Sequence, residues 1–522
     1  MNDKKQLVVE TVKPSRKKKA APSAEARATA APVINKGYSE AGASHTRKAM
    51  AGMKPNSGSP AEDINENLLT LRQRSRMLYM GAPVATSAIR TNRTNVVGNG
   101  LQLKSTVDYT TLGMTPEQAE QWQQHTEAEF KLWASNKRNC DATGINDFYG
   151  LQQLALVSWL TSGDVLGLVQ FAKRETMRPY GLRLHLIEAD RCRCPVSGNT
   201  FQSTASVKLE NGYIYDGVEV DKTGAIVAYH IANTYPYETT AEKTEFVRVP
   251  AYGKDTGLPN VLHVMDSERP EQYRGVPYLA QVMEPLLQLR RYTEAEIMAA
   301  VVQSFFTAFV KTDAGSTEMP FNEVPETEYD RDPNAYEMGP ATINMLEPGE
   351  SVDFASPTHP NSGFDVFVRA LCEQVGAALE VPCDLLLKAF NASYSASRGA
   401  LLEAWKAFRM RRTWLTNDFC RPVYEIWMTE AVALGRISAP GFFTDPILRQ
   451  AYLESEWIGP SAGQLDPTKE VQAAVSAIEN GLSTREAEAI KLNGSQYTAN
   501  VAKLKSENEK LRAANGQQPA SE

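Results

Sequence analysis

The chain is 522 residues long, 42% hydrophobic and 22% charged, with a formal net charge of -7. That is room for roughly three or four globular units, and the acidic balance argues against a protein whose main task is to grip nucleic acid, which needs concentrated Lys and Arg. The six cysteines, Cys140, Cys192, Cys194, Cys372, Cys383 and Cys420, match neither a paired C-x-x-C zinc site nor a dense secreted framework, so they read as reduced thiols.

Residues 1–60 are rich in Lys, Ala, Ser, Pro and Gly and carry the run Arg16, Lys17, Lys18, Lys19. Such a segment cannot bury enough apolar surface to fold alone. It reads as a solvated tail, with a DNA or partner contact as the alternative. From Asn65 a helical apolar pattern (Leu68, Leu69, Leu71, Met77, Leu78, Ile89, Val96, Val97) runs to the Gly98-Asn99-Gly100 break. Helices are predicted over 116–134, capped by Thr115, and over 148–160. Trp122, Phe130 and Trp133 are placed in the core of the first of these. Between residues 163 and 263 the period becomes two, as in Leu182, Leu184 and Leu186, and Asp221-Lys222-Thr223-Gly224 marks a hairpin with Gly224 free to take positive φ. The result is an α+β chain.

Arg274-Gly275-Val276-Pro277 is expected to open a long helix reaching about residue 311, bent near Pro285. Its apolar run, 297–310, is shorter than the roughly 18 residues a membrane span requires and reads as a buried helix. No signal peptide is visible. The stretch 313–353 then holds Glu323, Glu326, Glu328, Asp330 and Asp332 among its acids, Arg331 as its one strong base, and several prolines. It reads as an irregular or short-stranded acidic insertion, because 364–379 is helical again. In 382–431 a serine-rich turn, capped by Ser395 or Ser397, feeds a very long helix. Its stripe is Leu401, Trp405, Phe408, Leu415, Phe419, Val423 and Ile426, and Pro422 should kink it. Residues 439–456 read as a connector. Asp466 and Pro467 start a helix that Gly481 ends, and Ser483-x-x-Glu486 reads as a capping box for the next. Val501, Leu504, Asn508 and Leu511 have coiled-coil spacing over about two heptads, short for a zipper on its own. Residues 513–522 read as a frayed tail.

Phosphate-binding, zinc-protease, hydrolase and dinucleotide-binding motifs are absent, and six scattered histidines form no metal cluster. Glu188 and Asp190, at a strand end, are the one carboxylate pair of the kind metal nucleases use. A strand-edge salt link is the preferred reading of them, so neither enzyme activity, cofactor nor metal is expected.

Four separated blocks resemble the portal proteins of tailed phages, lambda family. They are 71–100 (LRQRSRMLYMGAPVATSAIRTNRTNVVGNG), Arg274-Gly275-Val276-Pro277, 390–412 with its SYSASRGALLEAWKAFRMRR core, and 457–484 (WIGPSAGQLDPTKEVQAAVSAIENGLST). The resemblance implies a portal fold: an α/β wing at 61–273, a stem helix at 274–312, an acidic clip at 313–361 and a second stem helix at 362–383. A tunnel loop at 384–396, a long kinked wing helix with connector at 397–460 and a helical crown at 461–512 complete it. It further implies a ring, usually of about twelve subunits, at one capsid vertex of the virion, assembled in the host cytoplasm. DNA is packaged and ejected through it, and terminase (its large subunit) and then a head-tail adaptor dock on it, beside major capsid and scaffold proteins and no membrane. On that layout Lys388, Asn391, Ser393, Tyr394 and Ser395 face DNA. Glu323, Glu326, Glu328, Asp330 and Asp332 face docking partners, and Pro422 kinks the wing helix. A non-ring helical scaffold or adaptor of virion assembly is the alternative.

Overall fold

The computed structural model describes residues 57–195, 206–238, 243–304, 308–312, 350–354, 363–390, 393–463 and 466–514, with residues 43, 48–50 and 52–53 before them. Two units are distinguished, Met1–Gly58 and Ser59–Glu522. The described part of the first includes a 3-10 turn at Lys48–Met50. The second is a mixed helix and sheet fold.

A π-type turn, Ala61–Asn65, leads into α1 (Glu66–Gly81), and α2 (Pro83–Val96) follows. The expected single helical stretch is therefore two helices. Pro83 forces Ala82 into an extended conformation, φ -117 and ψ 111, and then serves as the first residue of α2, where no N–H is needed. After β1 (Gln102–Ser105) comes α3 (Pro116–Ala134), opened by a reciprocal capping box between Thr115 and Gln118. A short α4 (Lys137–Cys140) precedes α5 (Phe148–Ser162), whose N-cap Asp147 accepts from the Gly150 N–H at 2.8 Å.

β2 (Asp164–Phe171) is the middle strand of an antiparallel sheet with β3 (Leu182–Glu188) and a later strand, Val261–Met265, and this sheet packs against α5. Five further strands form an antiparallel meander: β4 (Ser206–Leu209), β5 (Gly212–Tyr215), β6 (Val218–Asp221), β7 (Ile226–Ala232) and β8 (Phe246–Pro250). Gly224 turns β6 into β7 at φ +87, as its spacing predicts. β9 (Val261–Met265) returns the chain to the first sheet. Leu166, Ile187, Val218, Val220, Tyr229 and Ile231 fill a second, smaller core between the two sheets.

The helix expected from residue 274 starts later. A 3-10 turn at Ala280–Val282 leads into α6 (Met283–Ser304), and Pro285 sits in its first turn, where a missing N–H removes no bond. Residues 308–312 are not its end: β10 (Ala308–Thr312) pairs antiparallel with β11 (Glu350–Phe354), Ala308 opposite Phe354 and Thr312 opposite Glu350. A short apolar run suits helix or strand equally, and cross-strand pairing decides it here. Nor is 297–310 a buried helix, since Ile297 and Met298 are each 62% exposed. Glu323, Glu326, Glu328, Asp330 and Asp332 lie outside the described residues.

α7 (Phe364–Ala378) and the short α8 (Cys383–Leu387) precede α9 (Tyr394–Leu415). A π-type turn, Thr416–Cys420, joins α9 to α10 (Arg421–Ala433), with Pro422 second in α10. Pro422 has no N–H to give, and the Arg421 N–H reaches back to the Thr416 carbonyl in the wide π register. Trp405, Phe408, Leu415, Phe419, Val423 and Ile426 are buried and Leu401 partly so. The stripe meets Phe130, whose ring lies 5.0 Å edge-on from Trp427 and 5.7 Å from Phe148, so α3, α5 and α10 share one aromatic core.

The expected connector is folded. It contains α11 (Pro446–Leu453) and β12 (Ser455–Ile458), which pairs with β1, Gln102 opposite Ile458. Partners more than 300 residues apart leave no local signal. α12 (Pro467–Glu479) is capped by Asp466, and Gly481 follows it at φ +68. Thr484, one residue past the expected Ser483, caps α13 (Arg485–Asn493) by accepting from the Ala487 N–H. α14 (Tyr497–Ala514) ends the described chain. All six cysteines are free, and all but Cys383 are buried. Among the described residues no helix is long and apolar enough to cross a membrane.

Candidate nucleic-acid interface

The loop between the short α8 and the long α9 gathers the candidate contact residues. α8 closes on Lys388, a non-glycine residue in the left-handed region at φ 55 and ψ 34, whose N–H bonds the Asp384 carbonyl. That conformation costs an L-residue about 1–2 kcal/mol. Lys388 is exposed, as are Leu387 and Phe390, at 39% and 55%. Ser393 holds the N-cap position of α9, with its Oγ 3.3 Å from that of Ser395, so neither Ser395 nor Ser397 caps the helix. The expected loop of 384–396 narrows to 388–393, because Asp384 lies within α8 and Tyr394 and Ser395 begin α9. Asn391 lies outside the described residues, as does the Tyr394 side chain.

Beneath this exposed turn the structure is heavily braced. Ser87 of α2 donates to the Leu386 carbonyl at 2.6 Å, and Leu386 itself is buried. α7 passes to α8 through a tight corner: Glu380 takes φ 54, and a Cβ on Gly376 would meet the Val381 carbonyl oxygen at 2.5 Å. The Glu380 carboxylate accepts from Arg411 of α9 at 2.7 Å, while the same guanidinium donates to Asn92 of α2 at 3.1 Å and lies 4.9 Å over the Tyr278 ring. Tyr278 in turn donates to the Leu379 carbonyl. One residue on, Arg412 donates to the carbonyls of Val96, Asn95 and Pro460 at 2.9, 2.8 and 2.8 Å. It thus places a cation on the C-terminal end of α2, where the helix dipole favours it, although burial pulls its pKa down to about 10. Adjacent arginines thus fasten the strut to α2 and to the end of α7. Lys388 and Ser393 thus stand on a braced base, the arrangement in which binding residues are usually found.

Lower in the same frame, Arg274 is wholly buried. It does not open a helix; it holds a charged cluster that joins five segments. Its Nε and Nη2 grip the two oxygens of Asp164 at 2.6 and 3.1 Å, and Nη1 reaches Asp216 at 3.1 Å. Nη1 and Nη2 also donate to the carbonyls of Cys192 and Ala189, each at 2.8 Å. Arg72 of α1 shares both acids, at 3.4 and 3.3 Å. Burial opposes ionisation of Asp164, but the guanidiniums of Arg274 and Arg72 outweigh it and hold the carboxyl well below its usual range. Gly275 is needed beside it: a Cβ there would lie 1.9 Å from the Gly163 carbonyl oxygen, and its N–H donates to Asp164 at 3.2 Å.

Glu188 and Asp190 border this cluster and are occupied by it. Arg76 donates to Glu188 at 2.9 Å and also to Asp190, the strand-edge salt link preferred above. Among the described residues no group of three or more His, Cys, Asp or Glu could hold a metal ion.

The family model for the phage portal protein, lambda family, matches residues 46–412. Portal protein B of Escherichia phage lambda is 23% identical over 486 residues, covering 88% of this chain and 88% of its own length. The portal protein of Escherichia phage N15 is 23% identical over 490 residues, covering 90% of each. Among solved structures, the neck of a native gene transfer agent particle computed with C12 symmetry matches 82% of this chain and 94% of its own at 13% identity, with a TM-score of 0.43. The chain belongs to the lambda family of phage portal proteins.

Proposed function

We propose that the chain forms a ring, of about twelve copies on the family pattern, at one vertex of the phage capsid, as the conduit through which DNA is packaged and later ejected. The observation that carries this reading is an exposed apolar surface on two paired helices. α6 exposes Ile297 and Met298 at 62% each and Val301 at 43%, and α7 exposes Val366 at 70% and Phe367 at 48%. The two helices pack through Tyr292, which stacks on Phe364 at 5.5 Å. Contiguous exposed apolar faces mark interaction sites. In a rotational ring the same patch meets a different surface of the next copy until the circle closes.

On this reading α6 and α7 are the stem and β10 with β11 begins the clip. Residues 388–393 are the tunnel loop, α9 with α10 is the wing helix bent at its π-turn and Pro422, and α12 to α14 form the crown. Lys388, Ser393 and Ser395, with Asn391 and Tyr394, face DNA without reading its sequence, since hydroxyls and a lysine contact phosphate and sugar. One lysine per copy becomes a ring of charges at the axis. A second would begin to hold DNA rather than let it slide. The acids Glu323, Glu326, Glu328, Asp330 and Asp332 form the docking face for the terminase large subunit and then a head-tail adaptor, which present basic surfaces in turn. Major capsid and scaffold proteins meet the outer surface during assembly in the host cytoplasm, and the finished ring resides in the virion.

Lys388→Glu tests the conduit. It replaces a ring of cations with a ring of anions facing a polyanion, so packaged genome length should fall while ring assembly is unchanged. Full-length packaging and normal ejection by the Glu variant would remove residues 388–395 from the DNA path.

A further inference from the structure

We propose that a basic cleft at the turn end of the β2–β3 hairpin is a carboxylate-binding site, which takes an aspartate or glutamate side chain from an acidic segment of another protein. The site needs neither a ring nor DNA, so it stands apart from the conduit reading.

The cleft, of about 530 Å³, has two walls. One is the turn after α4, residues 138–144, which runs beside the edge strand β3: Asp141 bridges Leu184, and the Ala142 N–H donates to the Leu184 carbonyl at 2.9 Å. The other is the end of β2 and the turn that follows it, residues 170–178. Arg183 of β3 lines the cleft and is only 5% exposed. Its Nη1 is spent on backbone, donating to the Tyr180 and Leu182 carbonyls at 2.9 and 2.8 Å and also to that of Asn139. Among the described residues Nε and Nη2 have no partner and no carboxylate pairs with Arg183, yet neither nitrogen is sealed from solvent. Each of the other buried arginines described, Arg72, Arg274 and Arg411, holds at least one carboxylate. Burial, and then the Arg178 charge, pull the Arg183 pKa down, as befits a buried cation without a counter-ion. A buried charge is costly until it is paired, and Nε with Nη2 forms the edge of a guanidinium that offers a carboxylate two parallel donors.

The rim agrees in sign. Arg138, Lys173 and Arg178 line the cleft with Arg183, against Asp141 and Glu175. Both acids are already engaged: Asp141 accepts from the N–H groups of Thr143, Ile145 and Asn146 at 2.9, 3.0 and 2.9 Å, and Glu175 from Arg178 Nε at 3.1 Å. Phe171, 63% exposed, is the apolar part of the lining. A carboxylate beside an apolar side chain meets the cations and this ring together. Duplex DNA, with its closely spaced charges, would also set phosphates against Asp141 and Glu175.

Fluorescence anisotropy with the full-length chain tests the site. The probes are a fluorescein-labelled peptide of repeated glutamate-glutamate-phenylalanine, the same peptide with glutamine for glutamate, and a double-stranded DNA oligonucleotide as competitor. The glutamate peptide should bind, more weakly as salt rises, and the glutamine peptide should not. Arg183→Gln should weaken binding about tenfold or more, and Arg183→Lys should not restore it, because an ammonium has no two-donor edge. Should the Arg183 variants fail to fold, the exposed rim decides: Arg138→Gln with Lys173→Gln should weaken binding about fivefold or more at an unchanged urea midpoint. No binding of the glutamate peptide, equal binding of the glutamine peptide, or binding untouched by the rim pair overturns the proposal. So does DNA that displaces the peptide at equal charge concentration, which would make the cleft a phosphate site.

Discussion

Arg274→Met removes the centre of the buried cluster while keeping an unbranched side chain of similar reach. Asp164, itself with no solvent access, then retains only Arg72 at 3.4 Å and His263 at 3.3 Å as charged or titratable partners, and the Cys192 and Ala189 carbonyls lose their donor. Breaking a buried pair from one side costs about 3–5 kcal/mol, which is roughly two to four decades in the ratio of folded to unfolded chain at about 1.4 kcal/mol per decade. Urea denaturation read by the fluorescence of Trp133 and Trp427, both fully buried, should show that loss as a lower midpoint. Replacing both charges, Arg274→Met with Asp164→Leu, should cost clearly less than the sum of the single changes, because the stranded charge is gone. The pH dependence has a defined sign. The Asp164 carboxyl sits well below its ordinary value of 3.8 when folded, so its contribution is complete above that value and is lost as pH falls through the depressed one. A loss under about 1 kcal/mol for Arg274→Met, the range of an exposed pair, or strict additivity with Asp164→Leu, would refute the reasoning.

Gly275→Ala should lower stability by about 1–3 kcal/mol, since its Cβ meets the Gly163 backbone at 1.9 Å and backbone cannot swing aside. Gly399→Ala, in α9 with nothing within 4 Å of the added atom, should raise it by about 0.5–1 kcal/mol in the same denaturation assay. Asp418, in the π-turn, has its carboxyl pushed up to about 6 by burial, with the Asp266 charge adding to it. A carboxyl raised on folding costs stability as pH climbs from its ordinary 3.8 through 6. Asp418→Asn should therefore stabilise the chain at pH 7.5 by about 1 kcal/mol, discounting for the solvent that reaches the half-buried side chain, and the gain should vanish below about pH 4.

What could be read in the sequence was what is decided within a few residues. Thr115 caps α3 as its place before Pro116 predicts, and Gly224 turns the hairpin because only a residue tolerant of positive φ suits that turn. The buried stripe from Trp405 to Ile426 was legible for the same reason, since its period belongs to one helix. Arg274 was visible as part of a block but not as a buried charge. Its partners Asp164 and Asp216 lie 110 and 58 residues away, and no local pattern distinguishes a cluster from an exposed pair. The pairing of β1 with β12 was hidden for the same reason. At the candidate loop, Lys388 stands out only through the resemblance of its segment to a family loop, and the braces beneath it leave no local signal. Ser87, Asn92, Tyr278 and Arg411 come from three distant stretches and meet only in the fold.

On the proposed reading this chain closes into a ring through the apolar faces of α6 and α7. Electron microscopy of the purified protein, with native mass spectrometry of the same sample, tests it most directly. Rings with a central hole are expected, reduced to single chains by Met298→Asp combined with Phe367→Asp. A wild-type protein that stays a monomer or dimer at assembly concentrations, or rings that survive both substitutions, would contradict it.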